Sequence, residues 1–532
     1  MLRVATAASR PTHVGIVGAG FAGLRCADVL LQRGFKVTIL EARNRVGGRV
    51  AQSNQLGHQV DLGPNWIHGT HQNPMLQLAK QTDTLLHAWD EDEAALSYGP
   101  DGKLLDDQEI AEYSSLLWND GLIADAFRYS NEQHSDIDSS RSLQDFFAEK
   151  AAKLFQDLPK DEAERKRRML LLTTRMWGAY IGSPVTRQSL KFFWLEECIQ
   201  GENPFVAGTY AKILEAVARP AREKADLRLE AEVVGLSPGA DSTSKTTTVR
   251  LADGQALDFD EVVVTVPLGF LKRNKEMFSP PLPIRLSQAI DSIGYGTLDK
   301  VYITFPSAFW DESTSTNGAT SNHTNTSLDR VGTTPNFTAT TAPLHQPADV
   351  GAVREEGKVG FIHWLSPSYA SDTNPEGWDP QAMNLAALPS DAAHPTLLFY
   401  VYGPCSEHIA SIVSTAQSDA DRDARLIAFF QPYFSRLPNY SSTNPACKPK
   451  AILATAWAND KFAGYGSYSN FQVGLERGNE DIEVMRHGMP ERGLWFAGEH
   501  TASFVALGTS TGAYWSGEAV AERIVKGYEV AK

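Results

Sequence analysis

Residues 13–50, HVGIVGAGFAGLRCADVLLQRGFKVTILEARNRVGGRV, decide the fold. Residues 14–17 are a short apolar run of the kind that forms a buried parallel strand. The run enters Gly18-Ala19-Gly20-Phe21-Ala22-Gly23, and an amphipathic helix is predicted from there to about residue 33. A second apolar run, residues 36–40, ends on Glu41. Each part has a task in holding a dinucleotide. Gly18 permits the tight turn, Gly20 lets backbone N–H groups approach a pyrophosphate, and Gly23 lets the helix lie close on the strand with its partial positive end at the phosphates. Glu41 stands roughly 20 residues beyond the glycines, where a carboxylate accepts bonds from a ribose diol. The glycines alone would suit a tight strand-to-helix turn in any α/β protein; the flanking strands and the terminal acid favour a dinucleotide.

A chain of 532 residues is too long for one compact core and predicts two domains or three. Its 42% hydrophobic and 21% charged residues are those of a soluble globular protein. No apolar run approaches the roughly 18 residues of a membrane span, and the opening MLRVATAASRPT lacks the apolar core of a secretory signal. Cys26, Cys198, Cys405 and Cys447 are widely spread and form no CxxC or Cys/His cluster, so neither a disulfide framework nor a metal site is expected. Reduced thiols predict a cytoplasmic location. Asn-x-Ser/Thr sequons at Asn322, Asn325, Asn336 and Asn439 keep secretion as an alternative, with peroxisomal import lacking a C-terminal tag as a third. A net charge of −15 argues against nucleic acid; it would favour the approach of cationic small molecules, although taken alone it reads first as an aid to solubility.

After Glu41 comes Ala42-Arg43-Asn44-Arg45-Val46-Gly47-Gly48-Arg49, where paired glycines let the backbone approach a ligand and arginines offer fixed donors. Val60-Asp61-Leu62-Gly63-Pro64-Asn65-Trp66-Ile67-His68-Gly69 follows. The succession GxGxxG, EARxRxGGR and Gly-x-x-Trp-x-His-Gly resembles the flavin-containing amine oxidase family, and its last segment is most similar to the polyamine oxidase branch. A nicotinamide dehydrogenase has no reason for the GGR loop, so the resemblance moves the cofactor from NAD to FAD. It implies an α/β fold (α+β overall), with a Rossmann-like FAD-binding domain and an interleaved substrate domain of mixed sheet and helices. The FAD domain is expected at 1–90, 205–300 and 451–532. The substrate domain is expected at 91–204 and 301–450.

The block from about 90 to 201 is acidic and helical. Leu143, Phe146, Phe147, Ala151, Leu154, Phe155 and Leu158 recur at helical spacing, and the charge run at 161–168 reads as a solvated face. Residues 227–236 read as a strand whose Val234, by resemblance, touches the adenine end. Asp253-Gly254 suggests a hairpin turn, and residues 262–269 resemble the family's VVVTVPLG. Taken alone, Lys300 is a surface lysine opening a strand. The frame GxGxxxKxxxxF, matched from Gly294 to Phe305, makes it by resemblance the lysine that holds a water against flavin N5. Residues 312–348, rich in Ser, Thr and Asn, are expected to be a mobile insertion. Strands are predicted at 359–365 and 397–403, and a helix at 420–434. Near the end, Trp457, the segment from Ala463 to Ser469, Gly498-Glu499-His500-Thr501 and Gly508-Thr509 resemble the family's FAD-closing segments, with the last helix pointing its N-terminus at the flavin.

The resemblance implies Lys300, His68 and Tyr468 as the catalytic group. His68 would meet a substrate amine at the mouth, against the plain alternative of a histidine bonded within its loop. Tyr468 would form one aromatic wall. FAD would rest on Gly18, Gly20, Gly23, Glu41, Ala42 and Arg43, on Gly48, Arg49, Gly63, Pro64, Asn65 and Trp66, and on Val234, Trp457, Gly498, Glu499 and Thr509. Ser467 stands where some relatives attach flavin through cysteine, so non-covalent FAD is expected. Thr509 stands where monoamine oxidases carry the facing tyrosine. The implied reaction oxidises the C–N bond of polyamines or their N-acetylated forms to an imine, then aldehyde plus amine, with O2 reduced to H2O2. The alternatives are an L-amino-acid or monoamine oxidase, and a chromatin flavoprotein similar to histone demethylases. An L-amino-acid substrate needs an arginine clamp for its carboxylate, not found outside the cofactor motifs; the chromatin flavoprotein needs a long antiparallel helical insertion not evident here. The expected partners are a small-molecule amine and O2, with no nucleic acid and no membrane, in a monomer or homodimer.

Overall fold

The computed structural model describes residues 11–89, 95–118, 121–239, 246–311 and 359–529. The insertion expected at 312–348 and the sequons at Asn322, Asn325 and Asn336 lie outside the described residues. Asn439 lies within them, and its side-chain amide donates to Phe309 O at 3.0 Å.

The opening apolar runs form His13–Val17 and Lys36–Leu40, with the helix Phe21–Gln32 between them. They sit inside a five-stranded parallel sheet in the order Leu494–Phe496, Glu261–Val264, His13–Val17, Lys36–Leu40, Asp226–Arg228. Strands buried on both faces explain why these runs are continuously apolar. Ile16 pairs with Ile39 on one side and Val263 on the other. One face packs Val14, Ile16 and Ile39 against Leu24, Ala27, Ile213, Val217, Val520 and Ile524, from the helices Phe21–Gln32, Ala211–Lys224 and Ser510–Glu529. The other face packs Val17, Leu40, Val262 and Val264 against Val233, Leu236, Val249 and Leu251 of a separate three-stranded sheet. The hairpin predicted at Asp253-Gly254 joins Thr247–Leu251 to Ala256–Phe259, with Gly254 at φ 90°. The run at 227–236 is not one strand. It breaks into Asp226–Arg228 and Val233–Pro238, which belong to different sheets.

A second sheet of six strands runs in the order Ala451–Ala454, Leu298–Thr304, Thr396–Tyr402, Gln381–Asn384, Phe361–Trp364, Ala95–Tyr98. All its pairings are antiparallel except the last, which is parallel. Strand alternation sorts its residues. Val301, Ile303, Ile362, Leu397 and Phe399 pack on the helix Asp419–Phe434 through Leu426, Phe430 and Tyr433, while Lys300, Tyr302, Leu398 and Tyr400 face the other way. Ala451–Ala454 pairs with Leu298–Thr304, so residues 451–454 and Lys300 stand in the second sheet. The block before residue 201 is helical as expected, but its apolar period is broken. The helix Leu143–Ala151 starts at a Ser142–Asp145 capping box and ends before Leu154 and Phe155, and Lys160–Thr174 follows as a separate helix.

Candidate active site

Between the two sheets lies a cavity of about 1360 Å³, more than the roughly 300–1,000 Å³ that suits a single small ligand. Every residue expected to bind cofactor or act catalytically lines it, except Gly23 and Val234.

At its inner end the turn at Gly18 takes φ 106°, and Gly20 caps the helix Phe21–Gln32 with no side-chain hydrogen bond, so the first-turn N–H groups are left for a ligand. A Cβ at Gly20 would meet nothing, since this backbone faces open cavity. A Cβ at Gly23 would stand 2.1 Å from Gly18 O, so that glycine serves helix-on-strand packing rather than direct contact. Glu41 accepts from Ala19 N at 2.7 Å and Arg43 N at 2.8 Å, fixing the turn while presenting the carboxylate to the cavity. Val234 corrects the sequence reading. A bulge between Val233 and Gly235 turns it outward, 38% exposed, and Ala231, Glu232 and Val233 line the cavity instead.

Further along, Arg49 Nη1 donates to Ser467 O at 2.6 Å and to Glu499 Oε1 at 3.0 Å, and Glu499 Oε2 accepts from Ser469 Oγ at 2.6 Å. Burial raises the Glu499 carboxyl, but the Arg49 guanidinium and His500 outweigh it and hold it below the usual range. Ser467 Oγ bonds both ways to the backbone of Leu298, at 2.8 and 2.9 Å. Thr509 caps the last helix, accepting from Gly512 N at 2.9 Å.

Lys300, Tyr302 and Trp457 fasten three successive carbonyls: Tyr302 OH donates to Asp61 O at 2.6 Å, Trp457 Nε1 to Leu62 O at 3.0 Å, and Lys300 Nζ to Gly63 O. Lys300 is buried, not the surface lysine of the plain reading. Burial pushes its pKa down, with partial opposition from Asp61 and Asp299. Asp61, itself buried, is pushed up. Asp299 is held by Thr455 Oγ1 at 2.6 Å, Ser406 Oγ at 2.7 Å and Trp457 N at 2.7 Å.

Beyond Lys300 the cavity is aromatic. Tyr468 donates to Tyr180 O at 2.8 Å, and Tyr400 donates to Asn65 Oδ1 at 2.9 Å with its ring centroid 5.7 Å from Lys300 Nζ. Trp66, Trp89, Trp118 and Trp177 complete it. His68 lines the cavity with its pKa pushed down to about 4 by burial. Its loop is held through its carbonyl, which accepts from Asn73 Nδ2 at 3.0 Å, and not through the ring. Sequence reasoning missed Tyr400 and Glu196. Glu196 is a lining acid pushed up to about 8 by burial against one backbone bond from Phe471. Tyr400 carried a signal, since it sits at a polar position in an apolar strand; Glu196 closes the short 3-10 helix Phe193–Glu196, too brief for a periodic pattern, and carried none.

A Rossmann-like sheet, a helix start without a side-chain cap at a glycine turn and a second mixed sheet beside an aromatic cavity define a mixed α/β dinucleotide-binding fold. The flavin-containing amine oxidoreductase family matches residues 21–353 and 382–525, and the chain belongs to it. Its cofactor is FAD, and the open glycine cradle, Glu41 and the Arg49–Glu499 pair fit that group. Similar proteins include "Lysine-specific histone demethylase 1 homolog 1" of Oryza sativa subsp. japonica, 27% identical across 97% of this chain and 52% of its own length. "Probable polyamine oxidase 4" of Arabidopsis thaliana is 26% identical across 56% of this chain and 58% of its own. The chain thus spans about half the length of these curated relatives. A solved putrescine oxidase double mutant shares the fold at TM-score 0.64 and 16% identity, covering 97% of this chain and 100% of its own.

Proposed function

We propose that this chain oxidises a C–N bond of polyamines or their N-acetylated forms to an imine, which water hydrolyses to an aldehyde and an amine, with O2 reduced to H2O2. Bound FAD supplies the acceptor for the hydride equivalent and passes the electrons to O2. The observation that carries the reading is that the substrate end offers rings and no clamp for an anion. Outside the cofactor segments and Lys300, no arginine or lysine lines the cavity among the described residues, and its wall carries Trp66, Trp89, Trp118, Trp177, Tyr400 and Tyr468. An amino-acid carboxylate finds no clamp there, whereas the carbon chain and cationic nitrogens of a polyamine suit such rings.

Tyr468 and Tyr400 orient the amine by packing and cation–π attraction. His68, neutral at physiological pH, can accept a hydrogen bond from the amine. Lys300 keeps one bond to Gly63 O and, with its pKa lowered, holds a water and exchanges a proton with it. Ser467 leaves FAD non-covalent.

A second reading, oxidation of methylated lysine in a peptide, is favoured by the names of the relatives that align with 97% of the chain. Against it, the longest helix among the described residues has 20 residues, and no long antiparallel helix pair stands among them. Anaerobic addition of spermine, spermidine, N1-acetylspermine, monoamines, L-amino acids and a methyl-lysine peptide to the flavin-loaded protein separates these readings. Polyamines are expected to bleach the flavin. Bleaching by the peptide alone, or by L-amino acids alone, would replace the proposal.

A further inference from the structure

One cross-strand row of the second sheet reaches from the catalytic lysine to the sheet's far edge. Register pairs Lys300 with Tyr400, Tyr400 with Gln381, Gln381 with His363, and His363 with Ser97. All five line the cavity. Paired residues share a face and adjacent strands lie about 4.8 Å apart, so the row runs roughly 14 Å from Lys300 to His363 and roughly 19 Å to Ser97. The next row, two residues along each strand, is Tyr302, Leu398, Met383, Phe361 and Ala95, apolar from Leu398 onward. Ser97, His363 and Gln381 are therefore polar side chains set into an apolar floor, at 7%, 7% and 8% exposure, where an unmet polar group is costly.

Their hydrogen-bonding capacity is only partly used. Gln381 Nε2 donates to Met176 O at 3.0 Å, which leaves Oε1 as an acceptor. Nδ1 of His363, a cavity-lining residue, is buried without a partner among the described residues, whereas Nε2 is not among the buried unpartnered atoms, so the less costly tautomer carries its proton on Nε2. Burial pushes this histidine down to about 4, so the ring is neutral near pH 7. Ser97 Oγ has no partner among the described residues and can donate or accept. The three side chains offer a donor, an acceptor and a hydroxyl, all uncharged. The two carboxylates of the substrate end, Asp107 and Glu196, stand on a helix start and a turn rather than on this row.

We propose that Ser97, His363 and Gln381 form a remote subsite for the neutral amide of an N-acylated amine whose reacting carbon lies near Lys300. The acyl oxygen takes the His363 and Ser97 donors and the amide N–H gives to Gln381 Oε1. A free ammonium would find no counter-charge in this row and be held there more weakly. The subsite rests on the polyamine reading and narrows it.

Anaerobic single-turnover reduction of the holoprotein by N1-acetylspermine and by spermine tests the subsite, using Gln381→Leu and His363→Phe as independent variants in case one folds poorly. The apparent Kd for N1-acetylspermine should rise about tenfold in each variant, the equivalent of one lost hydrogen bond. The limiting reduction rate and the Kd for spermine should stay within about twofold of wild type. Equal weakening of both amines, or no change for either, overturns the subsite while leaving the polyamine reading intact. A wild-type flavin that neither amine bleaches overturns that reading and the subsite with it.

Discussion

Lys300 illustrates what a single residue can and cannot reveal in sequence. Its type and local surroundings describe a surface lysine, and only the spacing from Gly294 to Phe305 marks it out. In the fold it is 4% exposed, bonded to Gly63 O and flanked by two buried aspartates. Lys300→Met should retain bound FAD, read as the flavin-to-protein absorbance ratio, while the oxidation or reoxidation rate falls about 10²-fold or more, as for loss of a proton-transferring group. Unchanged turnover would remove Lys300 from the mechanism. His500 sets a different expectation. It is 1% exposed, neither ring nitrogen has a partner among the described residues, and burial pushes its pKa down to about 4. The unfolded chain therefore takes up this proton first, near its ordinary value of about 6.5. The stability His500 contributes is complete above that pH and is lost as pH falls toward 4. His500→Gln should flatten the decline of Tm between pH 7 and pH 5, and an unaltered slope would show that other groups govern it.

At the scale of elements, the glycine turn and its helix were legible because every constraint on them is local: a strand, a left-handed glycine, an uncapped helix start. The helix Phe21–Gln32 is then gripped from its other side by the last helix, where a Cβ at Gly517 would stand 2.1 Å from Ala22 O. Gly517→Leu should lower stability by about 1–3 kcal/mol through overpacking, measured by chemical denaturation; a neutral result would mean the helices separate freely. Nothing in the sequence near Gly517 announces this approach, because its partner lies almost the whole chain away. Val234 failed for a related reason. Strand alternation cannot be counted through a bulge, and the bulge arises from pairing with a strand that follows it.

Across the whole molecule, the carbonyls of residues 61–63 beside the cavity are held by three side-chain donors, Lys300 and Tyr302 from the second sheet and Trp457 from the turn that follows it. Replacing two of them, in Tyr302→Phe with Trp457→Phe, leaves the carbonyls of Asp61 and Leu62 without those bonds. It should lower stability by about 1–3 kcal/mol, at roughly 0.5–1.5 per bond, in thermal unfolding. Unchanged stability would mean that the apolar contacts alone join the sheets. The amino-acid sequence by itself determined the dinucleotide turn, the order of the cofactor segments, the family frame around Lys300 and the acidity that favours a cation, since these are written in contiguous residues and composition. The tertiary structure alone decided which residues meet across the far end of the cavity. Ser97, Glu196, His363, Gln381 and Tyr400 come from distant segments, and only sheet register and chain closure bring them to one cavity. The opening glycine turn is set by local geometry, whereas the wall proposed to select the amine is assembled by long-range pairing that no local pattern encodes.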